Sequence, residues 1–197
     1  MNLNAILLSA IALLSAGQSV SQDESIPTGL PFPSPNGRYS VELQEIDRLP
    51  HFIIKDIASD RVDNSIVMPT VLLYLHWAAD SQSIVTVEHI AKGSYGRVIY
   101  LKGSKWVNAE IDAPGEAMMN ATVIRLELNP DHVHYKFAVD YVKSNGMSFK
   151  YKFCDLDVRL ESGEVSNVKW TSISHAEWVA SLEHKPSYFP PMEWNKK

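Results

Sequence analysis

Short runs of β-branched and aromatic residues, each bounded by turn residues, recur from about residue 38 to residue 171. This alternation of hydrophobic and polar positions is typical of antiparallel strands, and helical periodicity is scarce in the same stretch. The pattern therefore predicts an all-β fold. The predicted strands cover residues 38–45, 52–56, 61–67, 71–77, 84–89, 97–101, 106–111, 123–128, 134–142, 149–156 and 165–170.

Turn signals lie between these runs, and one helix follows them. Asn145-Gly146 supplies the positive φ values of a tight hairpin turn between two strand-like runs. Ser174 and Glu177 have the spacing of a capping box, so a short helix is predicted there, and Pro186 would end it. The tail beyond that proline is too apolar for a solvated end, and we expect it to pack on the body of the protein.

The chain begins with an uncharged apolar stretch at residues 5–16, which has the length of a signal-peptide hydrophobic region and is short for a membrane span. We therefore predict a signal peptide over residues 1–21, cleaved after Gly17 or Ser21, and a secreted or periplasmic protein. No Lys or Arg precedes the stretch, so a buried N-terminal helix is the alternative. A lipid anchor is not expected, because the position that needs Cys holds Gly17 or Gln18.

Composition divides the rest of the chain into three parts. Residues 22–37 are rich in Pro, Gly and Ser and are predicted to form an extended linker. Residues 38–172 carry the strand pattern and are long enough for one β-meander domain with a real core. Residues 173–197 contain the predicted helix and the aromatic tail.

Charge and cysteine content exclude several classes of protein. The net charge of −5 provides no basic face for nucleic acid and no polybasic segment for anionic lipid, so neither partner is expected. Cys154 is the only cysteine, so no internal disulfide can form and the fold must hold by packing. A single Cys in a strand is most often a small buried hydrophobe.

One short segment recurs along the chain. Residues 34–43 align without gaps with residues 78–87, each copy being a turn that leads into a strand, and a third copy begins at Pro130-Asp131. The offsets between these copies lie at or slightly beyond the length of a propeller blade, in which each unit is a four-stranded meander. The predicted strands group in the same way.

Further turns support this grouping. Asp155-Leu156, followed by Glu161-Ser162-Gly163-Glu164, has the form of a turn between a third and a fourth strand, and residues 55–60 are a weaker counterpart. Together the motifs resemble the repeats of β-propellers of the TolB and WD-repeat kind, over residues 34–172. The resemblance implies three four-stranded antiparallel meanders that are similar to propeller blades.

Three meanders are fewer than the roughly four to eight blades of a closed propeller. The sequence therefore leaves three architectures open. These are an open partial propeller, a propeller completed by a second subunit, and a continuous meander rolled into a barrel or sandwich. A propeller completed by a second subunit would make the protein a homo-oligomer, and that possibility stays open.

The candidate chemistry centres on two histidines. His132 and His134 are two residues apart, so in an extended segment both imidazoles lie on one face, with Asp131 at the adjoining turn. These three residues are the candidate metal ligands, although a solvated strand end is the interpretation that the pattern favours. The alternating carboxylates Asp155 and Asp157 fit the wet face of an antiparallel sheet better than an acid/base pair.

Trp77, Trp106 and Trp170 fall at predicted strand ends, where exposed rings could stack on a sugar or on a partner protein. Core packing is the commoner use of such rings and is the interpretation favoured for all three. Residues 93–96 place a serine between glycines but lack the spacing of a nucleophile elbow, and they are predicted to form a turn.

No phosphate-binding loop or dinucleotide fingerprint occurs in the sequence, so no cofactor and no catalytic residue is assigned. The leading hypothesis is a secreted or periplasmic, non-catalytic binding module for a protein or a small carbohydrate-like ligand. One alternative is a small metal-dependent hydrolase that uses the two histidines. Another is a structural subunit that completes a larger propeller.

Overall fold

The computed structural model describes residue 29 and residues 31–68, 71–91, 93–113, 118–142 and 149–191. Within these ranges the chain forms thirteen strands and one helix. The elements are β1 Phe32–Pro33, β2 Tyr39–Ile46, β3 Leu49–Asp56, β4 Arg61–Val67, β5 Val71–Trp77, β6 Ser83–Ile90, β7 Gly93–Lys102, β8 Lys105–Ile111, β9 Met118–Leu128, β10 His132–Val142, β11 Phe149–Arg159, β12 Val165–Ile173, α1 His175–Glu183 and β13 Ser187–Phe189.

The strands form the three antiparallel meanders that the sequence predicts. The first meander is a separate sheet in the order β1-β2-β3-β4. The second meander runs β5-β6-β7-β8 and the third runs β9-β10-β11-β12, each by consecutive antiparallel pairing. The second and third meanders are joined through β7 and β9 into one nine-stranded sheet. The strand order of this sheet and of the four-stranded sheet is open-ended, so the described strands do not close into a barrel.

Two hydrophobic clusters hold the three meanders together. In β6, Ile84 belongs to a cluster shared with residues of the first meander, including Val41 and Ile54. Val85, its neighbour in the strand, points the other way into a cluster shared with the third meander, including Val133. Because β6 is buried on both faces at this level, the second meander is packed between the other two.

The two outermost faces of this stack are polar. On the first meander, Lys55 Nζ donates to Glu42 Oε2 at 3.0 Å on the face opposite Val41. On the third meander, the outward row of β10 consists of residues such as His134 and Lys136. Terminal units of a stacked structure commonly carry such polar faces because no further unit packs on them.

Glycines permit close packing where the second and third meanders meet. Gly93 pairs in parallel with Ala121, and any Cβ at Gly93 would collide with the Ala121 carbonyl. A Cβ at Gly96 would lie 2.5 Å from Cζ of the buried Tyr135. The prediction of a turn at residues 93–96 is therefore wrong, since these glycines begin β7 and make room for neighbouring groups.

The C-terminal part returns across the third meander. Helix α1 begins with the predicted capping box, in which Ser174 Oγ accepts from Glu177 N at 3.2 Å and Ser174 N donates to Glu177 Oε2 at 2.8 Å. The Trp178 ring packs 5.1 Å from the Tyr151 ring on the outer face. β13 then pairs in parallel with the inner edge strand β9.

Some predicted segments lie outside the described residues, and the predicted linker is described only in part. The signal peptide at residues 1–21 and the Asn145-Gly146 turn are outside. Of the predicted linker at residues 22–37, Phe32–Pro33 pairs with β2 as strand β1, and Gly29 N donates to Leu43 O at 2.8 Å. In the described ranges, helix α1 is too short and too polar to cross a membrane.

Candidate functional site

A surface cavity of about 420 Å³ lies at one end of the third meander, and we call it the turn-end pocket. Three turns and the adjoining strand ends contribute to its walls. Strand β5 is followed by the turn that carries Asp80, β9 by the turn with Pro130 and Asp131, and β11 by the turn with Leu160 and Glu161. The strands themselves add His132, Asp157, Arg159, Ser166 and Asn167.

Strand register brings the polar side chains of the pocket together. β10 pairs with β11 so that His132 lies opposite Arg159 and His134 opposite Asp157. The pairing of β11 with β12 is interrupted by a bulge, and Asn167 on the bulged strand has a φ of 52°. From there, Asn167 Nδ2 donates to Asp157 Oδ2 at 2.8 Å.

Both ring nitrogens of His132 have protein partners. Nδ1 lies 2.7 Å from Asp131 Oδ1, and Nε2 lies 3.2 Å from Asn129 Nδ2. The hydrogen bond from His132 lowers the pKa of Asp131 below its ordinary value, so this carboxylate is ionised at neutral pH. His132 is thus oriented by its neighbours.

His134 lies between two carboxylates of β11. Its Nδ1 is 2.8 Å from Asp157 Oδ1, and its Nε2 is 3.4 Å from Asp155 Oδ1. Burial alone would raise the pKa of Asp157, but the hydrogen bonds from Asn167 and His134 outweigh it and the pKa is lowered. Asp157 is therefore an ionised acceptor held in place from two sides.

The predicted metal ligands do not converge on one point. Asp131 contacts His132, whereas His134 contacts the carboxylates of β11 on opposite sides of its ring. Metal coordination needs several donor atoms that face the same ion. Among the described residues, no group of three or more His, Cys, Asp or Glu side chains is placed to hold a metal ion.

Of the three tryptophans predicted to stack on a ligand, two belong to the core between the first and second meanders. Trp77 is 2% exposed and Trp106 is 8% exposed, and their ring centroids lie 5.8 Å apart. Trp170 is partly buried and packs edge-to-face on Tyr141 at 5.7 Å, with Lys152 Nζ 5.5 Å from its ring. The stacking prediction thus applies to Trp170 alone.

A buried ionic network lies on the second meander, away from the pocket. Arg97 Nε donates to Glu88 Oε1 at 2.6 Å, and an Arg97 terminal nitrogen donates to Glu88 Oε2 at 3.0 Å. Glu88 also accepts from the Tyr95 hydroxyl at 2.5 Å and from the Thr86 hydroxyl at 3.0 Å. The two charged side chains are 2% and 0% exposed, which makes this network part of the core.

The sequence reasoning missed several pocket residues, namely Asp80, Arg159, Glu161, Ser166 and Asn167. A usable signal existed for some of them, because Asp80 and Glu161 lie in turns that belong to the internal repeat. Equivalent turns of adjacent meanders meet at the same end of a stack. Asn167 had no such signal, since its position depends on the bulge in β12.

The chain matches no known protein-family model, and no curated protein sequence is similar to it. Solved structures that resemble it weakly include hydrazine synthase from Kuenenia stuttgartiensis, with 14% identity over 55% of this chain and 38% of that chain, at a TM-score of 0.36. TolB from Acinetobacter baumannii matches with 9% identity over 72% of this chain and 43% of that chain, at 0.35. The isopeptidase AtxE2 in its apo form matches with 12% identity over 83% and 31%, at 0.35.

This chain spans less than half the length of each of those three proteins. One of them is a TolB protein, the kind of protein whose repeats the sequence resembles. The resemblance is weak at these TM-scores, and it carries no conclusion about function.

Proposed function

We propose that this protein is an exported, non-catalytic binding module, and that the turn-end pocket is its ligand site. The observation that carries the proposal is the pocket itself. It is a concave surface of about 420 Å³ in which polar side chains from three turns and the adjoining strand ends converge. Ligand sites in proteins typically combine such a concavity with a few oriented polar groups.

The polar groups of the pocket are oriented before any ligand arrives. His132 is held by Asp131 and Asn129, and Asp157 is held by His134 and Asn167. Side chains that are already ordered lose little conformational entropy on binding, which favours affinity.

The same contacts disfavour the metal-dependent hydrolase as an alternative. Such an enzyme would use ring nitrogens of His132 and His134 as ligands of one ion. Instead, each ring nitrogen faces a protein partner, and the carboxylates beside His134 lie on opposite sides of its ring. Binding without catalysis needs no rearrangement of these side chains.

The other alternative, a subunit that completes a larger propeller, requires additional meanders to pack on the ends of the stack. Neighbouring blades bury apolar faces against each other, as both clusters of this protein do. The end faces instead present Glu42 and Lys55 on the first meander and His134 and Lys136 on the third. Burying these charges would cost desolvation energy that a new interface must offset.

A pocket-filling variant tests the proposed site. Ser166→Phe places a bulky ring at the cavity wall, and Thr171→Phe places the same ring farther along the exposed strand β12 as a matched control. Backbone NMR spectra of the isotope-labelled protein are recorded with mixtures of small polar molecules. We expect shifts that cluster around the pocket, persist in the control and disappear in Ser166→Phe. Shifts that appear nowhere, or only elsewhere, would reject the site.

Export is tested independently of the pocket. Mass spectrometry of the full-length protein, expressed in a host with a general secretion pathway, should find a mature N-terminus after Gly17 or Ser21. An intact N-terminus on a protein retained inside the cell would contradict the signal-peptide part of the proposal and leave the pocket unaffected.

A further inference from the structure

We infer that the outer edge of β12 is a dimer interface, at which two copies of this chain pair their β12 strands antiparallel about a two-fold axis. β12 ends the strand order of the nine-stranded sheet, and among the described strands it pairs only with β11. An edge strand presents a row of backbone N–H and C=O groups to which another strand can add. This edge is a different surface from the polar end faces of the stack.

Two exposed valines lie along this edge on the same face of the sheet. Val165 is 41% exposed and Val168 is 43% exposed. Val165 lies opposite the buried Val158, so it belongs to the inner face of the third meander. Side chains of a regular strand alternate between faces, but the bulge at Asn167 adds one residue to β12. Val168, three residues further on, therefore returns to the inner face.

Two opposite charges lie on the other face of the same segment. Lys169 is exposed and lies opposite Asp155, on the outer face. Glu164 directly precedes Val165 and is exposed on the same outer face as Lys169. Among the described residues, neither Glu164 nor Lys169 has an ion-pair partner.

Antiparallel pairing of two copies brings these groups together in a single register. When Val165 of one copy lies opposite Val168 of the other, Glu164 lies opposite Lys169, and the two-fold axis repeats both pairs. The interface then contains two valine pairs on the inner face and two Glu–Lys pairs on the outer face. Both kinds of cross-strand pair stabilise antiparallel strands. The bulges of the two copies meet at the axis, so neither bulge offsets the ladder.

The backbone groups that this register needs point away from β11. Hydrogen-bonded and non-hydrogen-bonded positions alternate along an antiparallel ladder. Arg159 N donates to the carbonyl of the residue before Val165 at 2.9 Å, so the N–H and C=O of Val165 itself lie on the outer edge. Asp155 faces β12 as Arg159 does, since it is four residues away along β11. Its partner Lys169 therefore faces β11, and Val168 faces the outer edge.

The dimer would bring two turn-end pockets together. Ser166 and Asn167 line the pocket and are the residues nearest the two-fold axis. A ligand with two linked binding groups would then have a higher apparent affinity than one with a single group. The pocket is formed within one chain, so loss of the dimer leaves the proposed function standing.

Sedimentation velocity of the full chain over a concentration series measures the dissociation constant of the dimer. We expect Glu164→Lys and Lys169→Glu each to weaken the dimer about tenfold, because each replaces both Glu–Lys pairs with like-charge pairs. The double variant has opposite charges at both positions again and should associate as the parent does. Lys105→Glu is the matched control, since it makes the same change of charge at an exposed position of β8, which pairs only with β7 among the described strands. It should leave the dissociation constant unchanged.

Mixing the two single variants gives a further test. In Glu164→Lys the outer face of β12 has two positive charges, and in Lys169→Glu it has two negative charges, so only unlike chains attract each other. A heterodimer should therefore form on mixing. Hydrogen exchange of the parent locates the interface independently, because the amides of Val165 and Val168 should exchange more slowly as the protein concentration rises.

Three results would overturn the interface. A parent that is monomeric at every concentration tested, with unprotected Val165 and Val168 amides, would mean that a second copy is not the partner of this edge. A dimer with the same affinity in both single variants would be joined elsewhere. Equal weakening by Lys105→Glu would mean that net charge, and not the pairing of β12, controls the association.

Discussion

The buried pair of Glu88 and Arg97 makes a quantitative prediction about stability. Replacing Arg97 with Met keeps much of the volume of the side chain and removes its charge. Glu88, whose side chain is 0% exposed, then loses the two charged hydrogen bonds that it accepts from Arg97. The partly exposed Glu110, 3.3 Å from an Arg97 terminal nitrogen, loses the same partner but can be solvated.

The expected cost follows from burial. Removing one partner of a buried ion pair destabilises proteins by about 3–5 kcal/mol, because the remaining charge is left uncompensated. Glu88 retains hydrogen bonds from the hydroxyls of Tyr95 and Thr86, so we expect a value near the lower end, about 3 kcal/mol. The double variant Glu88→Leu with Arg97→Met removes both charges, and it should be more stable than Arg97→Met alone.

Urea denaturation of the parent, both single variants and the double variant provides the free energies of unfolding for a complete cycle. Arg61→Met is the matched control. It breaks a pair with a comparable distance, 2.8 Å from Nε to Asp63 Oδ1, but Arg61 is 71% exposed. We expect no measurable loss of stability there, because water already screens that pair.

Two results would refute this reasoning. Equal costs for Arg97→Met and Arg61→Met would mean that burial does not determine the contribution of the pair. A double variant that is less stable than either single variant would mean that no uncompensated charge was left behind in the single variants.

Three further predictions use the same denaturation assay or simple labelling. Gly96→Ala should cost about 1–3 kcal/mol, because the new Cβ meets the buried ring of Tyr135; a variant as stable as the parent would show that the ring can move aside. Trp77→Phe should lower the free energy of unfolding by about 1 kcal/mol more than Trp106→Phe does. Trp77 Nε1 donates to a backbone carbonyl at 3.0 Å, whereas the buried Trp106 Nε1 has no partner among the described residues. Equal losses would contradict this. Burial raises the pKa of Cys154 to about 12, so iodoacetamide at pH 8.5 should label this thiol only in the unfolded protein. The free energy of unfolding should fall as the pH rises from the ordinary thiol pKa towards 12. Rapid labelling of the native protein would contradict both expectations.

The local pattern of hydrophobic and polar residues was sufficient to predict most of the strands. The runs at residues 61–67 and 71–77 are strands with the predicted bounds. The first buries Ile66, and the second buries Leu72, Tyr74, Leu75 and Trp77. The pattern failed where polar residues continue a strand. β9 begins at Met118 and not at residue 123, since Asn120 is held by Asp140, which accepts from the Asn120 backbone nitrogen at 2.7 Å.

Less of the site than of the fold could be predicted from the sequence. The spacing of His132 and His134 correctly placed both imidazoles on one face of a strand. Their partners could not be predicted, because Asp157 comes next to His134 through the register of β10 with β11, and Asn167 reaches Asp157 through a bulge. Register and bulges depend on the whole sheet, and no short motif in this sequence specifies them.

The parallel pairing of β13 with β9 has a consequence for the order in which the protein can assemble. Tyr188 of β13 packs 5.1 Å from Tyr74 of the second meander, whose hydroxyl donates to Pro190 O at 3.1 Å. These contacts use residues that leave the ribosome after every other described strand. The first two meanders can therefore assemble before β13 has been synthesised, while the inner edge of the third stays incomplete until then.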